Sequence, residues 1–164
     1  MAVNTVEQLF VEELKDLLSA ENQITKTLPK LVEAASSAEL KSAFEHHLKE
    51  TEGQIVRLEK AFKILGKSAK SKTCEGMKGI LTEGSEMLHE TASGDIRDAA
   101  LISAAQRVEH YEMAAYGTVR TYAEELNQPE IVELLKETLQ EEKAADMKLT
   151  EISRQVNVRA LKAA

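Results

Sequence analysis

Glutamates interrupt the apolar rows of three predicted helices, each near the middle of its helix. Glu21, Glu112 and Glu142 lie where a spacing of three and four residues otherwise places mostly leucine, isoleucine, valine or alanine. Burying an unpaired carboxylate costs several kcal/mol or forces its protonation, so such acids need a positive counter-charge. Helical bundles commonly supply that charge as bound metal ions, and the spacing therefore predicts a metal centre.

Further candidate ligands lie close to the midpoints of the predicted helices. The second predicted helix carries His47 and Glu50 one turn apart, and the third and fourth helices each carry another acid beside their central glutamate. The predicted metal-ligand set is Glu21, His47, Glu50, Glu109, Glu112, Glu142 and Asp146. His47 is either a ligand or a hydrogen-bonding neighbour of one.

The chemistry of this donor set selects among metals. Carboxylates with at most one imidazole suit iron or manganese, and suit zinc less well because zinc usually draws on more histidine or cysteine. We expect two iron or manganese ions, with partial protonation or a bridging water completing the charge balance. The alternative is a metal-free polar layer inside the bundle.

The elements that must position these residues are helices, so the predicted fold class is all-α. Strong helix formers dominate the sequence and only 4% of residues are aromatic. Capping residues and glycine or proline signals divide one domain, 1–164, into long helices at about 5–35, 37–65, 95–126 and 129–156, with a shorter helix at about 75–89. The long link between the two helix pairs indicates an up-down bundle with one long crossover, as in ferritin-like proteins.

Charge and composition exclude several classes of partner. The net charge of −7 argues against nucleic acid and against an anionic membrane surface. No stretch approaches the length of a membrane span, and the N-terminus lacks the pattern of a secretory signal. Cys74 is the single cysteine, which favours a reducing compartment, and we expect a cytoplasmic protein.

Four blocks of the sequence resemble a known family. The segments SAENQITKTLPKL, FEHHLKETEGQIVRLE, AALISAAQRVEHYEMAAYGT and LLKETLQEEKAADMKLT closely resemble the YciF-type ferritin-like bacterial stress proteins. The resemblance covers the chain from about Thr5 to Ile152. It implies a four-helix bundle with a short fifth helix in the crossover, assembled as a homodimer, and a dimetal centre like that of rubrerythrin or bacterioferritin.

The rubrerythrin pattern can be followed residue by residue. Its first-helix glutamate matches Glu21, and its Glu-x-x-Glu on the third helix matches Glu109 and Glu112. Its Glu-x-x-x-His on the fourth helix matches Glu142, with Asp146 in place of the histidine.

The second helix departs from that pattern. Glu50 is followed three residues later by Gly53 where rubrerythrins carry histidine, while His47 lies three residues before Glu50. The site is therefore richer in oxygen than a rubrerythrin site, which argues against rubrerythrin-like peroxidase activity. A single cysteine cannot form the rubredoxin-type electron-transfer module, so a redox-active centre would need an external electron donor.

Three functions remain open from the sequence. The first is a dimetal carboxylate oxidoreductase that acts on peroxide or dioxygen during stress, in which the residues that carry out catalysis are unassigned. The second is metal binding or sequestration without turnover. The third is a metal-free dimeric interaction protein that retains the fold.

Overall fold

The computed structural model describes residues 3–70 and 72–162, which form five α-helices and contain no strand. The helices are α1 (Val6–Ala34), α2 (Ala38–Ile64), α3 (Glu75–Glu90), α4 (Asp95–Glu125) and α5 (Pro129–Lys162). The predicted all-α class is therefore confirmed. Four of the helices have 27 or more residues, while α3 has only 16 and lies in the crossover.

Side-chain caps fix where the helices begin. Thr5 accepts a hydrogen bond from the backbone N–H of Gln8 at the start of α1, and Ser37 does the same for Leu40 at the start of α2. The thiol of Cys74 accepts from the backbone N–H of Met77 at the start of α3. These residues satisfy amide groups that have no partner within the helix, so the helix starts are set locally.

The four long helices form a closed ring of neighbours. Helix α1 packs against α2 and α4, and α5 packs against the same two helices. The N-terminal half of α1 shares a core cluster with the C-terminal halves of α2 and α4, so neighbouring helices run antiparallel. Because α2 ends where α4 also ends, the crossover must travel the length of the bundle before α4 can begin. Helix α3 makes that passage and packs against α4 and α1.

The apolar core is divided into two clusters with a polar layer between them. One cluster contains residues such as Ile24, Phe44 and Leu149, and the other contains residues such as Leu14 and Leu135. The buried polar residues at intermediate heights are Glu21, His47, Thr51, Gln54, Glu109, Glu112 and Glu142. The interruption of the apolar rows in the sequence thus corresponds to one layer at mid-height of the bundle.

A buried aspartate ties the start of α4 to the turn between α1 and α2. Both carboxylate oxygens of Asp98 accept backbone hydrogen bonds, from Ser36 and Ser37, at 2.7 Å. Asp98 is fully buried, so these charge-assisted bonds fix the angle at which three helices meet.

Helix α5 corrects one predicted boundary. The sequence predicts that the fourth long helix ends at about residue 156, whereas α5 continues to Lys162. Ala160 is buried in the last turns and Arg159 pairs with Asp95 at 2.8 Å, so tertiary contacts hold a segment that has little apolar pattern of its own. Across the described residues, no helix combines the length and apolar character that a membrane crossing requires.

Candidate metal centre

Helix α1 contributes Glu21 to the polar layer. Its side chain is fully buried, and one oxygen, Oε1, accepts a short hydrogen bond from the hydroxyl of Tyr116 on α4. The second oxygen, Oε2, has no hydrogen-bond partner. One half of this carboxylate is therefore held in place while the other half is available to a ligand.

Helix α4 contributes two acids to one face. Glu109 and Glu112 are three residues apart, so both point into the bundle, and they are 2% and 0% exposed. Neither oxygen of Glu112 has a hydrogen-bond partner, and Oε2 of Glu109 also lacks one. Buried carboxylate oxygens are rarely left without partners, so these atoms are the strongest indication that the layer binds a cation.

Helix α5 contributes Glu142, which is fully buried. The side-chain amide of Gln54 on α2 donates a short hydrogen bond to its Oε1, and Oε2 has no partner. The same amide donates to Glu141 at 3.0 Å, and Glu141 forms a short ion pair with Arg57. Gln54 and Arg57, both on α2, thus orient the acids of α5.

Helix α2 contributes His47, which is 5% exposed. Its Nε2 lies 3.5 Å from Oε1 of Glu109, and its Nδ1 lies 3.6 Å from Oε2 of Glu50. Neither ring nitrogen forms a hydrogen bond. A buried imidazole with both nitrogens unsatisfied is unusual, and metal ligation would satisfy one of them.

Four of the predicted ligands form a compact group. His47, Glu109, Glu112 and Glu142 each offer one donor atom, and these atoms all lie within 4.8 Å of one another. Glu21 lies against this group, because its carboxyl interacts with those of Glu112 and Glu142. The layer therefore joins donors from all four long helices.

The other two predicted ligands lie beside the group rather than within it. Glu50 is partly exposed and places Oε1 3.1 Å from Nε2 of His46, a surface histidine. Asp146 accepts a hydrogen bond from Gln106 at 3.0 Å and lies 3.3 Å from His110. Their assignment as ligands remains a prediction that the four-residue geometry does not include.

Burial and mutual repulsion raise the pKa values of three acids of the layer. Burial, followed by the charge of neighbouring carboxylates, holds the pKa of Glu21 and the pKa of Glu112 well above the usual range. Burial and a hydrogen bond with Glu142 do the same to the pKa of Glu109. Without a cation these acids favour the protonated form, and a bound cation would reverse that preference.

The pKa of Glu50 shifts in the opposite direction and is lowered. Burial alone would raise the pKa of Glu50, but the contact with His47 at 3.6 Å and the charges of His46 and His47 outweigh burial and lower it. Glu50 is thus an ionised carboxylate at the edge of a layer of acids that resist ionisation.

The donor set fits iron or manganese. The unsatisfied atoms are carboxylate oxygens and imidazole nitrogens, which suit these metals, while zinc prefers sites with more histidine or cysteine. Gln54 and Arg57 are not among the site residues predicted from the sequence. Gln54 and Arg57 lie four and seven residues after Glu50, and this spacing places all three residues on the same helix face. That periodicity was the sequence signal that could have identified them.

Comparisons with known proteins agree with this architecture. Residues 5–162 match the family described as domain of unknown function DUF892. Protein YciF of Escherichia coli (strain K12) is 46% identical over 154 residues, which is 93% of each chain.

Solved structures show the same relationship. The crystal structure of the E. coli stress protein YciF matches with a TM-score of 0.91 at 44% identity, over 94% of this chain and 98% of that one. The structure of YcfI from Rhodopseudomonas palustris matches with a TM-score of 0.88 at 43% identity, over 90% and 94% of the two chains. A protein from Xanthomonas campestris, 18% identical with a TM-score of 0.74 over 98% of each chain, shares the fold. The chain therefore belongs to the YciF family, described as DUF892, and has its ferritin-like helical fold.

Proposed function

We propose that this protein binds two iron or manganese ions in the polar layer and uses them to react with peroxide or dioxygen. The observation that carries the proposal is a set of buried polar atoms without hydrogen-bond partners, contributed by α1, α2, α4 and α5 at one height. They belong to Glu21, His47, Glu109, Glu112 and Glu142. A layer of this kind is costly without a cation, because each unpartnered buried polar atom forfeits its hydration.

The side chains divide into three roles. Glu112 has two unpartnered oxygens and interacts with Glu21, Glu109 and Glu142, so it would be the central residue that holds the metal. His47, Glu109 and Glu142 each place a donor atom within 4.8 Å of one of Glu112, and the carboxyl of Glu21 interacts with those of Glu112 and Glu142. Tyr116 and Gln54 hold the outer oxygens of Glu21 and Glu142, which fixes the direction of the remaining oxygens.

When bound, iron or manganese would supply electrons and a coordination position for a small oxidant. Apolar clusters above and below the layer keep water from its two ends. Glu109 holds a proton readily in this environment, since its pKa is raised by burial and by Glu142. It is the carboxyl group best placed to exchange protons beside His47.

A relative lends support to a role in stress. The E. coli protein that matches this chain is described as a stress protein, and we propose a similar role here. The expected homodimer and the external electron donor also remain predictions. Light scattering of the purified protein tests the first, and a search for reductants that sustain turnover tests the second.

The proposal is tested by metal analysis followed by peroxide consumption. Wild-type protein purified aerobically and anaerobically should contain about two iron or manganese ions per chain, in line with dimetal carboxylate bundles. Peroxide loss in the presence of a reductant should exceed that of the free metal. Glu112→Ala should lose both metal and activity while retaining helix content, and Glu133→Ala, which alters an exposed acid of α5, should retain both.

Other outcomes would assign other functions. Stoichiometric metal without sustained peroxide loss would indicate sequestration, which the same buried donors also permit. Protein without metal, whose melting temperature does not rise when iron or manganese is added, would contradict a metal function. The conserved fold would then serve interaction alone.

A further inference from the structure

A cavity between α2 and α5 reaches the polar layer from the protein surface. Its volume is about 490 Å³, and its walls include the small residues Ala43 and Ala145. Exposed residues line one part of it, and the buried His47 and Glu109 line another. The cavity therefore connects solvent to the side of the layer formed by His47 and Glu109.

Histidine and glutamate side chains, which are of the types that ligate metals, follow one another along this cavity. Near the surface, Nε2 of His46 lies 3.1 Å from Oε1 of Glu50, and the His46 side chain is 73% exposed. The other oxygen of Glu50 lies 3.6 Å from Nδ1 of His47, whose Nε2 lies 3.5 Å from Glu109. Glu50 thus contacts one exposed and one buried histidine with its two oxygens.

Two observations at the inner part of the cavity indicate a ligand. His47 and Glu109 are both more than nine-tenths buried, and both ring nitrogens of His47 and Oε2 of Glu109 lack hydrogen-bond partners. Among the charged groups of the lining, Lys148 and Glu39 pair with each other at 2.9 Å. The carboxylate of Glu50 has no ammonium partner in the lining, so this part of the cavity favours a cation.

We infer that this cavity is the route by which divalent metal ions reach the centre, and that His46 and Glu50 form the first, transient binding position on it. The inference rests on the proposed metal function. A water molecule occupies roughly 30 Å³, so an ion with six waters needs on the order of 200 Å³ and fits the cavity. Apolar clusters close the layer above and below, and the cavity between α2 and α5 opens it to the surface among polar residues.

Metal uptake kinetics test the route. Ala145→Leu and Ala43→Leu add bulk to the α5 and α2 walls of the cavity without replacing a proposed ligand, and both alanines are only partly buried. Stopped-flow mixing of metal-free protein with cobalt(II), a coloured probe, should show uptake at least about tenfold slower in each variant, with the same final stoichiometry. Ala114→Leu, at an exposed position of α4 away from the cavity, is the matched control and should load at the wild-type rate.

The transient position has its own test. His46→Ala removes the outer imidazole and should slow cobalt uptake several-fold, whereas His89→Ala removes an exposed histidine of α3 and should leave the rate unchanged. Wild-type uptake rates in both alanine-to-leucine variants, with circular dichroism showing intact helices, would overturn the route while leaving the metal function in place. Failure of the wild-type protein to bind cobalt, iron or manganese would overturn the metal function and the route together.

Discussion

The hydroxyl of Tyr116 on α4 donates a hydrogen bond to Oε1 of Glu21 on α1, and both side chains are fully buried. The bond joins two helices at the height of the polar layer and leaves Oε2 of Glu21 directed away from the tyrosine. Burial, followed by the charges of Glu21 and Glu112, raises the pKa of Tyr116, so the hydroxyl keeps its proton. Tyr116 therefore acts as a fixed donor to the acid.

Removing that hydroxyl should weaken metal binding. In Tyr116→Phe, Glu21 loses the donor that orients it, and we expect the dissociation constant for manganese to rise about tenfold, as for other residues that orient metal ligands. Isothermal titration of metal-free protein measures the change. Tyr122→Phe, in the apolar cluster further along α4, is the control. Equal affinities in wild-type protein and Tyr116→Phe would contradict the role assigned to this hydrogen bond.

Stability of the metal-free protein should fall as pH rises. The pKa values of Glu21, Glu109 and Glu112 are raised by burial first, so the folded protein retains protons that the unfolded chain releases above about pH 4.3. Below that pH the free energy of unfolding is not reduced by these groups. Between that pH and the raised pKa values, it falls by about 1.4 kcal/mol per pH unit for each retained proton.

Urea unfolding at pH 5, 6.5 and 8 measures this dependence. The decline in the free energy of unfolding should be smaller in Glu112→Gln, and excess manganese should abolish it, because a bound cation favours the ionised acids. Metal binding near neutral pH should also release protons, which an indicator dye detects. A wild-type slope no steeper than that of Glu112→Gln would count against coupled protonation of the layer.

Neutralising the central acid should separate stability from metal binding. Glu112→Gln keeps the shape of a fully buried side chain and removes its repulsion with three other carboxyls, so the metal-free protein should gain about 1 kcal/mol at pH 8. It should also lose its melting-temperature response to manganese. Glu133→Gln, at a side chain that is 71% exposed, should change neither quantity. A metal-free melting temperature below that of wild type would show that Glu112 stabilises the fold.

The packing of the helix ends should depend on Asp98. Asp98→Ala leaves the backbone N–H groups of Ser36 and Ser37 without their buried acceptor, and we expect a loss of about 2–3 kcal/mol in the free energy of unfolding. Asp95→Ala breaks the more exposed pair with Arg159 and should cost about 1 kcal/mol or less. Comparable losses in the two variants would mean that the buried position of Asp98 contributes little.

The helices and the height of the polar layer follow from local pattern. Helical periodicity places Glu109 and Glu112 on one face whatever the rest of the chain does, and the caps at Thr5 and Ser37 are local hydrogen bonds. Because Glu21, Glu112 and Glu142 each lie near the middle of a long helix, packing the helices side by side places them at a common height. The all-α class and the crossover helix were predictable for these reasons, the family was predicted from the resemblance of four sequence blocks, and all three are confirmed.

Which donors meet was decided by tertiary packing. Glu50 and Asp146 lie within one turn of central residues, yet the rotation of α2 and α5 places them beside His46 and Gln106 rather than in the four-residue group. The same rotation brings Gln54 to Glu142. The sequence by itself determined which residues share a helix face, because backbone geometry fixes that face. Only the tertiary structure decided which face meets which, because that choice depends on interlocking side chains from separate helices.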